Sequence, residues 1–157
     1  MEIAIWGVVA RAVHVVAGVA WIGGVYFVTM VLLPSLKQRP EGDWLQEFQA
    51  IERRFAPQAR IAVLLVLLSG LYMLYSYNLW GLLAVARYWW MHLMMCVWLI
   101  FALLLFLIEP VFHRAISRRA ASDPKSALRR IQRVHLILLL LSLAAVFAAV
   151  AGTHGLV

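Results

Sequence analysis

Four long apolar runs, separated by polar connections, dominate the sequence. They cover about residues 12–33, 61–78, 88–112 and 134–153, and a helix needs about 20 such residues to cross the hydrocarbon core of a bilayer. Backbone polar groups in lipid must be satisfied within the segment, and the alternating strand pattern of a membrane barrel is absent from the sequence. The pattern therefore predicts an all-α fold, an integral membrane four-helix bundle.

Composition agrees with this prediction. Hydrophobic residues make up 65% of the 157 residues and charged residues 13%, which excludes an ordinary soluble domain. We expect residues 1–157 to form one transmembrane domain surrounded by membrane lipid. The single cysteine excludes an internal disulfide and any paired-cysteine metal motif.

The distribution of cations predicts the orientation. Of the 14 lysines and arginines, all but Arg11 and Arg87 lie in the first and third connections or at their edges: Lys37, Arg39, Arg53, Arg54, Arg60, Arg114, Arg118, Arg119, Lys125, Arg129, Arg130 and Arg133. Cationic connections face the cytoplasm. We therefore expect both termini and the 79–87 connection on the non-cytoplasmic side of a bacterial inner (plasma) membrane. Topology and anionic lipid explain the net charge of +7, so no nucleic acid is expected as a partner.

Two connections carry helix signals of their own. Asp43 is placed to cap a helix whose apolar residues recur at helical spacing up to Pro57, which predicts a short helix on the membrane surface that ends there. In the third connection, Asp123 and Pro124 are a capping residue and a first-turn proline. They predict that the last helix begins before it enters the membrane.

Three histidines fall at one depth near the outer face. Counted at 1.5 Å per residue, His14, His92 and His154 lie within about 10 Å of that interface on three different helices. Two imidazoles from facing helices are the axial ligands of six-coordinate haem iron. Arg11 and Arg87, the two cations on this side, would meet the haem propionates. His14 and His92 are the favoured axial pair, with His154 in reserve.

This pattern makes haem b near the periplasmic face the main functional expectation. The stripe of His14 carries the small residues Gly7, Ala10, Ala17 and Gly18, which leave space for a flat ring or, equally, allow close helix packing. A bis-histidine haem would transfer electrons to or from a quinol or a periplasmic redox protein. An open axial position would instead permit ligand or oxygen chemistry, as in an oxidoreductase.

Copper is the competing expectation. His92, Met95 and Cys96 are spaced i, i+3 and i+4, so they share one helix face, and thioether and thiolate ligands suit Cu(I). His14 and His154 would complete this set. Methionine also fills irregular gaps in apolar cores, which needs no metal.

A carboxylate and an imidazole reach similar depth at the cytoplasmic end. Glu109 lies near the end of the third apolar run and His135 near the start of the fourth. The two residues would form a proton relay or a structural pair that stabilises both charges.

Two stretches also resemble known families. "RAVHVVAGVAWIGGVYF" (11–27) and "RRFAPQARIAVLLVLLSGLYMLY" (53–75) are similar to the CopD-like copper-resistance membrane proteins, which implies a four-helix module with a copper-related role. The chain more distantly resembles the HemJ-type protoporphyrinogen oxidases, whose first-helix histidine matches His14. Where those enzymes have His-Ala-Lys in the third helix, this chain has His92, Leu93 and Met94. Assembly into a homo-oligomer stays open.

Overall fold

A computed structural model describes residues 2–38, 43–109 and 123–156, and helices make up nearly all of this part of the chain. The α-helices are α1 (Glu2–Phe27), α2 (Leu33–Leu36), α3 (Asp43–Ser76), α4 (Trp89–Ala102) and α5 (Pro124–Thr153). π-helical turns at Val28–Leu32 and Leu103–Ile108 continue α1 and α4, and 3-10 turns at Leu79–Ala84 and Ala86–Tyr88 precede α4.

Four helical segments are long and apolar enough to cross a membrane: Ile5–Leu36, Gln46–Ser76, Ala86–Ile108 and Lys125–Thr153. The predicted all-α, four-helix membrane fold is therefore confirmed. Most segments are longer than the apolar runs because the helices extend into the flanking polar connections. The predicted third span reached residue 112, and positions 110–112 lie outside the described residues, as do Arg39, Arg114, Arg118 and Arg119.

The helices pack in an antiparallel ring. α1 packs most extensively on α3 and α4 on α5, while α1 also contacts α5 and α3 also contacts α4. α1 and α4 therefore lie diagonally across the bundle. We call the end that holds the chain termini and the 79–87 connection the termini side, and the opposite end the basic side. That the basic side faces the cytoplasm stays a prediction.

Glycines of α1 allow its close approach to α3. A Cβ on Gly7 would collide with the Tyr77 ring, and a Cβ on Gly24 would collide with the Phe55 ring. Small residues permit such approach in membrane bundles, where dispersion contacts replace the hydrophobic effect between helices. The two glycines thus set the spacing of α1 and α3 near both ends of the interface.

Two clusters of buried residues hold the bundle together. In the middle, Val63 and Leu139 are almost completely buried, and Trp21 meets Phe101 edge to face with ring centroids 4.7 Å apart. Nearer the basic side, a second cluster joins α2, α3 and α5: Leu33, Leu36, Trp44, Phe48 and Leu128. The first cluster links α1 to α4 across the diagonal.

The predicted surface helix ending at Pro57 is wrong, because α3 runs through Pro57 without interruption. A proline inside a helix removes one backbone hydrogen bond and destabilises it locally. The exposed Pro57 is flanked by buried Ala56 and Ala59, and Trp44 is buried in the second cluster. Packing on both sides of the proline therefore keeps the helix continuous.

The predicted start of the last helix is confirmed. The Asp123 carboxylate accepts a hydrogen bond from the Ser126 backbone N–H at 3.1 Å, and Pro124 occupies the first turn of α5. This hydrogen bond holds the pKa of the Asp123 carboxyl below its usual range. The cap therefore stays ionised at neutral pH, where it also complements the helix dipole.

Replacing Gly24 by leucine should destabilise the bundle. The new side chain would meet the Phe55 ring, and overpacking of a close interface costs about 1–3 kcal/mol. We expect a lower midpoint of thermal unfolding in detergent, followed by tryptophan fluorescence.

Gly23→Leu is the matched control, because Gly23 is exposed and nothing lies within 4 Å of its Cβ position. Equal midpoints for the two variants would contradict the proposed spacing role of Gly24.

Candidate functional site

His14 lies half-buried between α1 and α3. Its Nδ1 is 3.1 Å from the Ser69 hydroxyl, and that hydroxyl donates its hydrogen to the Leu65 carbonyl. The hydroxyl therefore accepts from His14 Nδ1–H, which leaves Nε2 as the acceptor nitrogen of the neutral ring. Gly70 makes room for the imidazole, since a Cβ there would lie 3.3 Å from His14 Cε1. The His14 side chain therefore packs against α3.

His92 lies on the outward face of α4. Its side chain is exposed, like those of Met95 and Cys96. The opposite face of the helix supplies the buried residues Met91, Val97 and Phe101. His92, Met95 and Cys96 form what we call the outward triad.

The structure does not bring His14 and His92 into one space inside the bundle. His14 packs against α3, whereas His92 points away from the interior on the diagonal helix. Their role as an axial haem pair stays a prediction that this geometry does not favour.

The small residues near His14 serve mainly helix packing. Tyr77 occupies the space beside Gly7, and Ala17 is buried at 5% exposure. At Gly18, by contrast, nothing lies within 4 Å of the Cβ position, so space remains beside this residue. Side chains of the bundle thus fill much of the space that the sequence left for a flat ring.

His154, the remaining predicted ligand, also lies on the termini side. His154 follows α5, is exposed, and has Nδ1 2.8 Å from the Val150 carbonyl. The Trp90 ring packs against Gly152, so the start of α4 lies beside the end of α5. His92 and His154 are therefore at the same end of two packed helices.

The two cations of the termini side are both exposed. The Arg11 guanidinium lies over the Tyr77 ring, 5.8 Å from its centroid, in a cation–π contact. Arg87 lies in the 3-10 turn Ala86–Tyr88. Their predicted contact with haem propionates stays a prediction.

Glu109 and His135 line the same cavity but have different partners. Glu109 Oε2 lies 2.6 Å from Arg60 Nη2, and Arg60 Nε donates to the Leu105 carbonyl at 3.1 Å. His135 has Nδ1 2.9 Å from the Ile131 carbonyl. The cavity, of about 260 Å³, lies in the basic-side half of the bundle. A proton relay between Glu109 and His135 stays a prediction.

Arg60, which the sequence predicts only as one of the cations that set the orientation, is the ion-pair partner of Glu109. The sequence does contain a signal for this ion pair. Arg60 directly precedes the second apolar run and Glu109 lies near the end of the third, so the two opposite charges fall at similar depth on successive antiparallel helices. An ionisable residue at the edge of an apolar run usually needs such a partner.

Among residues 2–38, 43–109 and 123–156, no group of three or more His, Cys, Asp or Glu side chains is arranged to hold a metal ion. A hard-cation or zinc-like cage is therefore not formed by this part of one chain. A soft site that uses methionine sulfur is a different donor set, for which the outward triad is the candidate.

The family described as CopD, copper resistance protein D, has a sequence model that matches residues 49–151. This chain belongs to the CopD family. It is a multi-pass membrane protein of that family, with four helices able to span the bilayer. No significant match was found among the curated proteins or the solved structures.

Membership of the CopD family supports the copper alternative over the main expectation of haem b. The match extends from within α3 to near the end of α5 and includes the outward triad, but it leaves out α1 and His14. The family description names copper, and neither haem binding, electron transfer nor protoporphyrinogen oxidation gains support from it.

The Arg60–Glu109 pair can be measured in a double-mutant cycle. Both side chains are partly exposed, at 31% and 27%, so screening limits the interaction. We expect Arg60→Gln and Glu109→Gln to show a coupling of about 0.5–1 kcal/mol in unfolding free energy.

Arg53→Gln serves as the control, because Arg53 is an exposed residue of the same helix. Its cycle with Glu109→Gln should give no coupling. The assigned pair would be refuted by equal coupling energies in the two cycles.

Proposed function

We propose that this CopD-family protein binds and handles Cu(I) on the termini side of the bundle, with His92, Met95 and Cys96 as the primary ligands. His154 lies at the same end and would act as an auxiliary ligand. His14, on the diagonal helix α1, packs against α3, apart from the outward triad, and is not included in this ligand set. Copper is the cargo of this protein rather than a resident cofactor.

The chemistry of the outward triad fits Cu(I). Thiolate and thioether sulfurs are soft ligands, and an imidazole completes a set that Cu(I) accepts. Helical spacing of i, i+3 and i+4 puts all three donors on one face. The exposure of all three side chains on that face is the observation that carries the proposal.

Charge balance favours the same ion. One Cu⁺ bound by one cysteine thiolate, a neutral imidazole and a neutral thioether has no net charge. A neutral complex avoids the large cost of placing an ion at a surface that faces lipid. A divalent ion at the same three ligands would keep one positive charge. The outward triad is therefore better suited to the reduced form of copper.

The orientation of the bundle decides on which side of the membrane copper would be handled. If the termini side faces the periplasm, as the cation distribution predicts, copper would be collected or released at the outer face of the inner membrane. An open face, rather than a closed cage, lets an incoming ligand replace one donor at a time. The exposed His154 would then exchange copper with molecules outside the membrane.

The test is anaerobic Cu(I) titration of the detergent-purified protein against a chromogenic Cu(I) chelator. We expect about one Cu(I) per chain. Cys96→Ser and Met95→Leu should each weaken binding by about tenfold or more, because each removes a soft donor.

Met94→Leu is the matched control, since Met94 is a half-buried neighbour that packs against the central cluster. Its affinity should equal that of the unaltered protein. Loss of affinity in Met94→Leu but not in Cys96→Ser would refute the proposed ligands.

A visible spectrum of protein from haem-replete cells separates the two metals. We expect no haem bands. A sharp reduced α band with stoichiometric iron, lost in His14→Ala and His92→Ala, would replace the copper proposal with the bis-histidine haem.

A further inference from the structure

The cavity of the basic-side half is a second candidate site, separate from the outward triad. Its volume is about 260 Å³, and its walls come from α1, α3, α4 with its π-helical turn, and α5. Most of the wall is apolar, including aromatic rings of Trp21, Phe48, Phe55 and Phe101. Such a cavity, with a few polar groups, is typical of small-molecule sites.

Both π-helical turns border this cavity. Val28 and Leu32 come from the first turn, and Leu104, Leu105 and Ile108 from the second. A π-helical turn in an otherwise regular helix is uncommon and is frequent at functional sites. The two turns border this one cavity from diagonal helices.

Side chains brace the backbone near each turn. The buried Thr29 hydroxyl donates to the Val25 carbonyl at 2.6 Å. Arg60 Nε donates to the Leu105 carbonyl at 3.1 Å, while its guanidinium pairs with Glu109. Side chains thus bond to carbonyls in or beside both turns, as is usual where a membrane helix is irregular.

The wall also holds an unsatisfied hydrogen-bond donor. Trp21 is 5% exposed, and its Nε1 is the one buried side-chain nitrogen or oxygen without a partner within the described ranges 2–38, 43–109 and 123–156. A buried N–H without an acceptor costs about 1–3 kcal/mol. Trp98, by contrast, donates its Nε1–H to the Val63 carbonyl at 2.9 Å. The Trp21 N–H therefore has no acceptor in the part of the chain that the structure describes.

His135 contributes the complementary group. Its Nδ1–H donates to the Ile131 carbonyl, so the neutral ring presents Nε2 as an acceptor. The cavity thus combines one donor and one acceptor with an apolar wall. Glu109 of this wall is paired with Arg60, and an ion pair without net charge favours a neutral ligand over a charged one.

We propose that the cavity binds a neutral, single-ring lipophilic molecule of the quinone or quinol class, with Trp21 donating to one ring oxygen and His135 accepting from a ring hydroxyl. The volume lies just below the range of about 300–1,000 Å³ for drug-sized ligands, so it suits one substituted ring and not a macrocycle. This site does not depend on copper binding by the outward triad.

The test measures binding of decylubiquinone, in its oxidised and reduced forms, to the full chain in lipid nanodiscs. Empty nanodiscs serve as the blank. We expect saturable binding at one site per chain. Trp21→Phe keeps the aromatic ring but removes the donor, and it should weaken binding of both forms about fivefold, the effect of one hydrogen bond. His135→Leu should weaken the reduced form more than the oxidised form.

Trp98→Phe is the matched control, because the Trp98 N–H already has a protein acceptor, and it should bind as tightly as the unaltered chain. Decylbenzene, which has the tail and ring without the oxygens, should bind much more weakly.

The proposal is overturned by non-saturable partitioning, by decylbenzene binding as tightly as the quinone, or by unchanged affinity in both cavity variants. Cu(I) affinity measured on the same preparations should not change in Trp21→Phe, so failure here and failure of the copper proposal are distinguishable.

Discussion

The close packing of α1 on α3 is the contact on which the rest of the bundle depends. It is made at three levels: the Tyr77 ring on Gly7, the His14 imidazole on Ser69 and Gly70, and the Phe55 ring on Gly24. Between membrane helices, close contact and interhelical hydrogen bonds replace the hydrophobic effect as the source of association. This interface holds α1 so that Trp21 reaches Phe101 on α4 and closes the central core.

Polar chemistry is divided between the two ends of the molecule. On the termini side, the outward triad faces away from the bundle, and His154 lies beside it. On the basic side, Glu109 and His135 line the cavity. Other polar groups along the spans bond to nearby backbone, as the Thr29 and Ser142 hydroxyls do. The outward triad and the cavity are therefore the two candidate sites, one at each end of the bundle.

Much of the architecture was predictable from the sequence, because hydropathy and length decide which segments cross a membrane. Local signals were also sufficient for the Asp123 cap. They failed at Pro57, where burial of Ala56 and Ala59 outweighs the local cost of a proline. Matched depth placed His14 and His92 in one layer, but depth does not give rotation about the helix axis. The rotation of α4 about its own axis places the His92 side chain on the outer surface of the bundle.

Groupings within one helix are predictable from the sequence, whereas pairings between helices are not. Spacing alone grouped His92, Met95 and Cys96 on one face, since residues of one helix have a fixed relative orientation. Pairings between helices, such as Arg60 with Glu109 and Trp21 with Phe101, depend on which helices are neighbours. The periodicity of one sequence does not contain that information. The π-helical turns were likewise not visible, because Val28–Leu32 and Leu103–Ile108 read as ordinary apolar helix.

The central claim is that soft ligands of α4 hold reduced copper at the outer surface of the bundle. X-ray absorption at the copper K-edge of the loaded protein tests it most directly. We expect the edge of Cu(I), with sulfur scatterers and at least one imidazole nitrogen in the first shell, and loss of the sulfur contribution when Met95 and Cys96 are both replaced. A first shell of nitrogen and oxygen alone, unchanged in that double variant, would contradict the claim.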